Sequence, residues 1–254
     1  MVTKPERIMF LNVPLDIVSP EDLEQVFSDL LPRKNEPATS QKGLDIILLS
    51  LWDLLRARWN NEYRNYVFNA TLIVPISKSI VSGVKFLTGK TIFRYMPFKF
   101  VISLLTFLDK EERSLYLFGG TGKVLKKAEK NLRMTFPNLN IVGRYEGSIR
   151  AQEEAAVMEA IRKASPSLLL AGKGVRGKEL WIHKNTKLLN QTFRLWCSDL
   201  LDVFAEKKRR PSDAIFDKGL ENAVRCFTNP FWIFRIFPYL RYKLLLLFYK
   251  LLKR

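Results

Sequence analysis

Short apolar runs alternate with amphipathic stretches of about 10–15 residues along most of this chain, and this alternation constrains the fold more than any other feature. Runs of four to six β-branched, leucine and aromatic residues are too short for helices and too uniformly apolar for half-exposed strands. They suit buried parallel strands joined by crossover helices. The pattern predicts strands at 8–13, 46–49, 72–74, 114–118, 140–142, 168–171 and 193–197. Helices are predicted at 20–31, with Ser19 as N-cap and Glu21 and Asp22 in the first turn, and at 123–136 and 151–164; residues 51–69 and 99–108 follow the helical period less regularly. The expected class is α/β, a Rossmann-like, mostly parallel sheet with flanking helices over residues 1–200. A C-terminal helical appendage follows over 201–254.

Two of these strands run into glycines and then into a helix. The first is Leu115-Tyr-Leu-Phe followed by Gly119-Gly120-Thr121-Gly122-Lys123; the second is Leu168-Leu-Leu-Ala followed by Gly172-Lys-Gly174-Val-Arg-Gly177-Lys178-Glu179-Leu-Trp181. Glycine lets backbone approach a diphosphate, and a helix start favours anions, so each junction reads as a nucleotide cradle. Neither matches G-x-G-x-x-G or the Walker pattern, and glycine is common at strand-to-helix turns for geometry alone. Glu179 reads equally as a first-turn helix residue and Trp181 as a core residue. Two such loops at the carboxyl edge of one sheet, where open α/β sheets bind ligands, point further than either does alone.

Charge narrows the partners. The formal net charge is +17, and six basic residues (Arg235, Arg241, Lys243, Lys250, Lys253, Arg254) lie beyond Cys226 without a single acid, which leaves a surplus of eleven on the rest of the chain. Such an excess attracts phosphates, nucleic acid or anionic lipid. No nucleic-acid motif is present, and the tail's cations stand beside nine aromatics, so nucleic acid is not the expected partner. At 100° per residue, Lys243, Lys250, Lys253 and Arg254 share a sector of about 100°, with leucines and aromatics over most of the remainder. Its longest uncharged run, 244–249, is far below the roughly 20 residues that span a bilayer. The tail is therefore expected to lie in an anionic membrane surface, with Trp232, Arg235, Lys243 and Lys250 among the docking residues. The same pattern also fits a helix packed on the chain's own core, a homo-oligomer interface or a calmodulin-type target. Two cysteines and one histidine leave no disulfide framework and no thiolate metal site, and the start lacks the apolar core of a secretory signal, so a cytoplasmic address is expected.

The order of motifs resembles the WecG/TagA/CpsF glycosyltransferases. The likeness runs from Leu11-Asn-Val-Pro-Leu-Asp16 to Arg235. It is carried by Ser114-Leu-Tyr-Leu-Phe-Gly-Gly120 with Asn131-Leu-Arg, Phe136-Pro137 and Ile141-Val-Gly143; by Pro166-Ser-Leu-Leu-Leu-Ala-Gly172-Lys-Gly174 with Glu179-Leu-Trp181-Ile182; and by the basic run 207–210 with Gly219-Leu-Glu221, Arg225 and Asn229-Pro230. The resemblance implies transfer of an N-acetylhexosamine-type sugar from a UDP-sugar to a polyprenyl-diphosphate-linked glycan acceptor, peripherally at the cytoplasmic membrane face and without a metal or other cofactor. It implies that Gly119, Gly120, Gly172, Gly174 and Glu179 hold the nucleotide sugar, and that Arg94, Arg210 and Arg225 neutralise diphosphates; Lys207, in the chain's densest basic run, joins them by its charge. Arg225 also has an i, i+4 ion-pair reading with Glu221. The family's acidic residue, its proposed base, is replaced by Ile76 in the turn Pro75-Ile76-Ser77-Lys78-Ser79; its "T-x-N" reads Leu48-Leu49-Ser50; its glutamine before the glutamate is Lys178; and Lys99 stands where it has an acid. A positioned base is worth roughly 10²–10⁴ in rate, which isoleucine cannot supply. Two readings follow: a divergent metal-independent transferase without an assigned base, with Asp53 and Glu179 the acids nearest these motifs, or a non-catalytic relative that binds nucleotide sugar or anionic lipid as a pathway partner.

Overall fold

A computed structural model describes residues 5–31, 44–186, 189, 192–210, 212–219, 221 and 236–252. Six parallel strands form one sheet in the order β4–β3–β8–β7–β5–β6: β3 (Leu44–Leu49), β4 (Leu72–Pro75), β5 (Ser114–Phe118), β6 (Asn140–Tyr145), β7 (Leu168–Ala171) and β8 (Phe193–Trp196). Helices flank both faces, giving the α/β, Rossmann-like architecture that the alternation predicts. Strands β3, β4 and β7 are buried along their whole length, which explains why their sequence does not alternate between apolar and polar.

The first strand predicted, 8–13, is a hairpin instead. β1 (Glu6–Phe10) and β2 (Val13–Ile17) pair antiparallel outside the main sheet, joined by Leu11 and Asn12 at φ 50° and 61°. Two consecutive left-handed residues make the turn whose twist suits a two-residue hairpin. An apolar residue within it, Leu11, which is itself buried, hid the turn in the sequence. The hairpin is fixed to the sheet edge by buried Asp16, which accepts from Ile73 N (2.7 Å) and pairs with Arg7 (2.6 Å).

Helix α1 (Leu23–Leu30) starts later than predicted: Asp22 is its N-cap, while the Ser19 hydroxyl accepts from Asp22 N one turn earlier. The stretch 51–69 is two helices, α2 (Leu51–Trp59) and α3 (Asn61–Asn69). Extended Asn60 separates them and caps α3 through Oδ1 to Tyr63 N (2.7 Å). Helix α4 (Lys78–Thr88) has no counterpart in the sequence-based expectations, because a mid-helix Gly83 lowers its propensity. Then follow α5 (Pro97–Lys110), α6 (Gly122–Thr135), a 3₁₀ turn (Ala151–Glu153) running into α7 (Glu154–Ala164), α8 (Glu179–Lys184), α9 (Leu200–Phe204), α10 (Asp213–Lys218) and α11 (Ile236–Leu251).

Gly83 shows why α4 forms in spite of its sequence. A Cβ there would collide with Tyr242 Oη of α11 and come 2.7 Å from Phe10 Cζ. The glycine admits the C-terminal helix, whose buried Tyr242 and Leu246 join the core beneath the hairpin and whose Tyr242 hydroxyl donates to Ser79 O.

Candidate functional site

The strand order carries β5, β6 and β7 side by side, so the loops leaving their carboxyl ends meet. Gly119 sits at φ 129°, and a Cβ on it would lie 2.9 Å from the N, C and O atoms of Gly172. Gly119 N donates to Tyr145 O (3.0 Å), Gly172 N to Phe118 O (2.8 Å), Gly120 N to Lys173 O (2.5 Å) and Gly147 N to Gly120 O (3.2 Å). Gly147, in the loop after β6, is packed equally tightly on Gly174 and the Lys173 carbonyl. Three glycine loops are therefore knitted backbone to backbone into one rim, and the amides of Gly119, Gly120 and Gly172 are engaged in that knitting. These glycines are required by the closeness of the loops. Exposed side chains on the rim include Lys123 at the start of α6 and Lys173, Arg176 and Lys178, together with one acid, Glu146, whose Oε1 lies 2.6 Å from where a Cβ on Gly122 would stand. Lys178 adopts φ 54°, ψ −133°, a backbone conformation costly for any residue with a Cβ.

A train of polar contacts continues from this rim toward β3. Glu179, buried at the start of α8, pairs with Arg56 of α2 (2.5 Å), and the Arg56 guanidinium lies 4.1 Å over the Tyr63 ring. Asp53 completes a capping box with Ser50, the first residue past β3: Ser50 Oγ donates to Asp53 Oδ2 (2.5 Å) and Asp53 N to Ser50 Oγ (3.2 Å). Burial raises the Asp53 carboxyl above its usual range, opposed by the hydrogen bonds from Ser50, and burial likewise pushes the Tyr63 phenol up. The two acids closest to the motifs in sequence thus have structural partners, Asp53 as a helix cap and Glu179 as an ion pair.

At the sheet edge, Ile76 follows β4 and donates its amide to Leu49 O (3.1 Å). Arg94 is 13% exposed, and its donors are engaged within the protein: Nε to Ile76 O (3.0 Å), Nη1 to Phe216 O (2.5 Å) and Nη2 to Glu221, with the guanidinium 3.7 Å over the Phe216 ring. Lys78 donates to the carbonyls of Asp217 (3.0 Å) and Lys218 (3.2 Å), and Lys99 pairs with Asp213 (3.2 Å). Three cations around the β4 edge are thereby occupied by the segment 213–221. Lys207 lies 3.8 Å from Asp202, and Arg210 pairs loosely with Asp213 (3.4 Å), its guanidinium 5.3 Å over Phe98. Arg225, Trp232 and Arg235 lie outside the described residues, and Glu221, the i−4 partner considered for Arg225, is paired with Arg94.

Helix α11 has two apolar faces. Tyr242 and Leu246, with half-buried Leu245 and Tyr249, face the body. Phe237, Leu240, Leu244, Leu247, Phe248 and Leu251 are exposed and fall in an arc of about 100° directly opposite at 100° per residue. Lys243 and Lys250 border that arc on one side and Arg241 on the other, with Arg241 3.7 Å over the Trp59 ring and Lys250 Nζ donating to Phe86 O (3.1 Å). No helix among the described residues is long and apolar enough to cross a membrane. Among those residues no group of three or more His, Cys, Asp or Glu side chains converges into a metal-ligand set.

The structure brings Gly119, Gly120, Gly172 and Gly174 together on one rim, joins Glu179 to its flank through Lys178, and places Arg94 about three strands away, at the β4 edge. Sequence reasoning passed over Gly147 and Arg56. Gly147 had a signal, a third strand followed by glycine in Tyr145-Glu146-Gly147. Arg56 had none, because its partner Glu179 is 123 residues away.

The chain matches the sequence model described as the glycosyl transferase WecG/TagA/CpsF family over residues 8–254. Among similar proteins, an N-acetylglucosaminyldiphosphoundecaprenol N-acetyl-beta-D-mannosaminyltransferase of Bacillus spizizenii is 24% identical over 189 residues, 74% of this chain and 73% of that protein. The protein of the same description in Bacillus subtilis is 21% identical over 171 residues, 67% of this chain and 66% of its own length. That of Staphylococcus aureus is 24% identical over 154 residues, 61% of this chain and 60% of its own length.

Proposed function

Because the chain belongs to the WecG/TagA/CpsF glycosyl transferase family, we propose that it transfers an N-acetylhexosamine-type sugar from a UDP-sugar to a polyprenyl-diphosphate-linked glycan acceptor at the cytoplasmic face of the cell membrane. The names of its relatives describe transfer to an N-acetylglucosamine carried on diphosphoundecaprenol, and that acceptor class fits a protein with a basic, apolar C-terminal helix. The observation that carries the reading is the rim of three interlocked glycine loops at the carboxyl ends of β5, β6 and β7. Gly120 and Gly174 are accessible on it, over buried Gly119 and Gly172, and leave backbone that a nucleotide diphosphate can approach. Lys123, Lys173, Arg176 and Lys178 stand above that backbone and stabilise the charge that develops on the departing UDP, work that needs no metal ion. Glu179, fixed by Arg56, holds the start of α8 against the same loop.

Lys207, Arg210 and Arg225 belong to the acceptor's diphosphate in this reading. Arg94 can meet a diphosphate only by exchanging Glu221 for it. The exposed arc of α11, bordered by Lys243 and Lys250, rests in an anionic lipid surface, and Trp232 and Arg235 are assigned to the same surface. Six cations at about 1 kcal/mol each, added to the apolar arc, are enough for reversible attachment.

A second reading is favoured by one observation: an isoleucine stands at the β4 turn and the neighbouring Arg94 is satisfied from within, as in a relative that binds nucleotide sugar without turning it over. Thermal shift with UDP and UDP-sugars, followed by transfer of radiolabelled sugar to a polyprenyl-diphosphate-linked N-acetylglucosamine in anionic vesicles, separates the readings. Ligand at one hundred times Kd stabilises by about 2.7 kcal/mol, a shift of several degrees. Binding with turnover supports the transferase, binding without turnover supports the second reading, and no shift with any nucleotide refutes both.

A further inference from the structure

Among the exposed cations of the glycine rim stands one exposed acid, Glu146, whose carboxylate forms no ion pair with any described residue. Its place is fixed from both sides. Tyr145, before it, accepts from Gly119 N (3.0 Å), and Gly147, after it, donates to Gly120 O (3.2 Å), so the backbone at 146 is stitched to the turn that follows β5. Its side chain lies over the start of α6, where Oε1 stands 2.6 Å from the place a Cβ on Gly122 would take. Gly122 is not left-handed, so the room its missing side chain leaves goes to this carboxylate. The topology adds a direction. Strands β6 and β7 flank β5 on opposite sides: the crossover through α6 leads to β6, and the one through α7 returns past β5 to β7. At such a switch point doubly wound sheets hold nucleotides, with the diphosphate at the glycine turn of one strand and the ribose against an acid that follows the neighbouring strand. Glu146 is the first residue past β6, the neighbour of β5, and so stands about one strand spacing, roughly 4.8 Å, from the glycine turn. That spacing is of the order of the span from the α-phosphate of a nucleoside diphosphate to its ribose hydroxyls.

We propose that Glu146 binds the ribose of the donor nucleotide, its carboxylate accepting from the 2′- and 3′-hydroxyls while the diphosphate lies over Gly120 and Gly174; this rests on the nucleotide-sugar reading above. A carboxylate suits a vicinal diol, because its two oxygens accept both O–H groups side by side. An acid this close to a diphosphate weakens binding by like-charge repulsion unless hydrogen bonds to the ligand offset it. Lys123, Lys173, Arg176 and Lys178 balance the charge of the diphosphate without closing on Glu146, which leaves both of its oxygens open to the ribose. The site therefore selects ribonucleotides over 2′-deoxyribonucleotides, and Glu146 governs recognition of the nucleotide, not the transfer step.

The test is titration calorimetry of the full-length protein with UDP, 2′-deoxy-UDP and inorganic diphosphate. Wild type is expected to bind UDP at least about tenfold more tightly than 2′-deoxy-UDP, because an acceptor built for a hydroxyl is left unpaired without it. Glu146→Ala is expected to weaken UDP about ten- to a hundredfold, to bring UDP and 2′-deoxy-UDP within about threefold of each other, and to bind inorganic diphosphate at least as tightly as wild type. The unliganded Tm stays unchanged, since the side chain is exposed. Wild type that binds UDP and 2′-deoxy-UDP alike overturns the proposal and leaves the nucleotide reading intact. So does an alanine variant that keeps the preference, loses inorganic diphosphate in step with UDP, or binds UDP more tightly, as a carboxylate serving only the α6 dipole would allow. Wild type that binds no UDP overturns both.

Discussion

Gly119→Ala tests the interlocked rim most sharply. The substitution asks a residue with a Cβ to hold φ 129° and sets that Cβ 2.9 Å from three backbone atoms of Gly172, which cannot swing aside as a side-chain end would. Backbone strain contributes about 1–3 kcal/mol and steric overlap about 1–3 kcal/mol, offset by about 0.4–1 kcal/mol from the stiffer unfolded chain. The net loss is about 3 kcal/mol, a fall in Tm of about 6–12 °C for a chain of this size. Gly89→Ala is the control: φ is 74° there and nothing lies within 4 Å of the added Cβ, so strain alone remains, about 1 kcal/mol and about 2–4 °C. Calorimetry of both variants, repeated with saturating UDP, gives the comparison. The rim account requires Gly119→Ala to be the less stable by several degrees and to lose most of its UDP-induced shift. Equal melting of the two variants would refute the reasoning.

Other consequences reach different parts of the molecule. Lys178→Gly relieves the strained loop end, so Tm rises by about 2–4 °C while UDP affinity measured by titration calorimetry falls. Arg194 and Asp45 form a buried ion pair (2.7 Å); Asp45→Ala leaves the guanidinium uncompensated and lowers stability by about 3–5 kcal/mol in chemical denaturation, whereas replacing both with apolar residues recovers most of the loss. Leu244→Asp combined with Leu247→Asp abolishes sedimentation with anionic vesicles and leaves Tm unchanged, because both side chains are exposed; Tyr242→Ala lowers Tm, because Tyr242 keys α11 onto Gly83. Burial pushes the Cys197 thiol up to about 12, so it stays protonated from neutral pH through pH 9 where an unfolded thiol ionises. In a Cys226→Ser background, iodoacetamide at pH 8.5 is expected to label half-buried Cys197 much more slowly in the native protein than after denaturant is added.

The sheet was legible because most of its parallel strands are buried and leave largely apolar runs, and the two glycine junctions because strand, glycine and helix occur in unbroken order. The hairpin was not, since Leu11 places an apolar side chain inside the turn and makes two strands read as one. Helix α4 was missed because its glycine is explained only by α11, more than 150 residues later. Separations of 127 and 123 residues likewise hid the pairing of Arg94 with Glu221 and of Arg56 with Glu179: sequence shows that charges exist, and only the fold shows which neutralise each other. The lysines at 78, 99 and 178 look alike in the sequence, yet two of them fasten the segment 213–221 and the third stands on the rim in a strained backbone.

Hydrogen exchange of the full-length protein with and without UDP tests the central claim most directly. Bound nucleotide is expected to slow exchange in peptides covering 119–123, 146–148 and 173–179 together, leaving the hairpin 6–17 unchanged. Protection confined to some other region, or none at saturating UDP, would contradict a nucleotide site on the joined glycine loops.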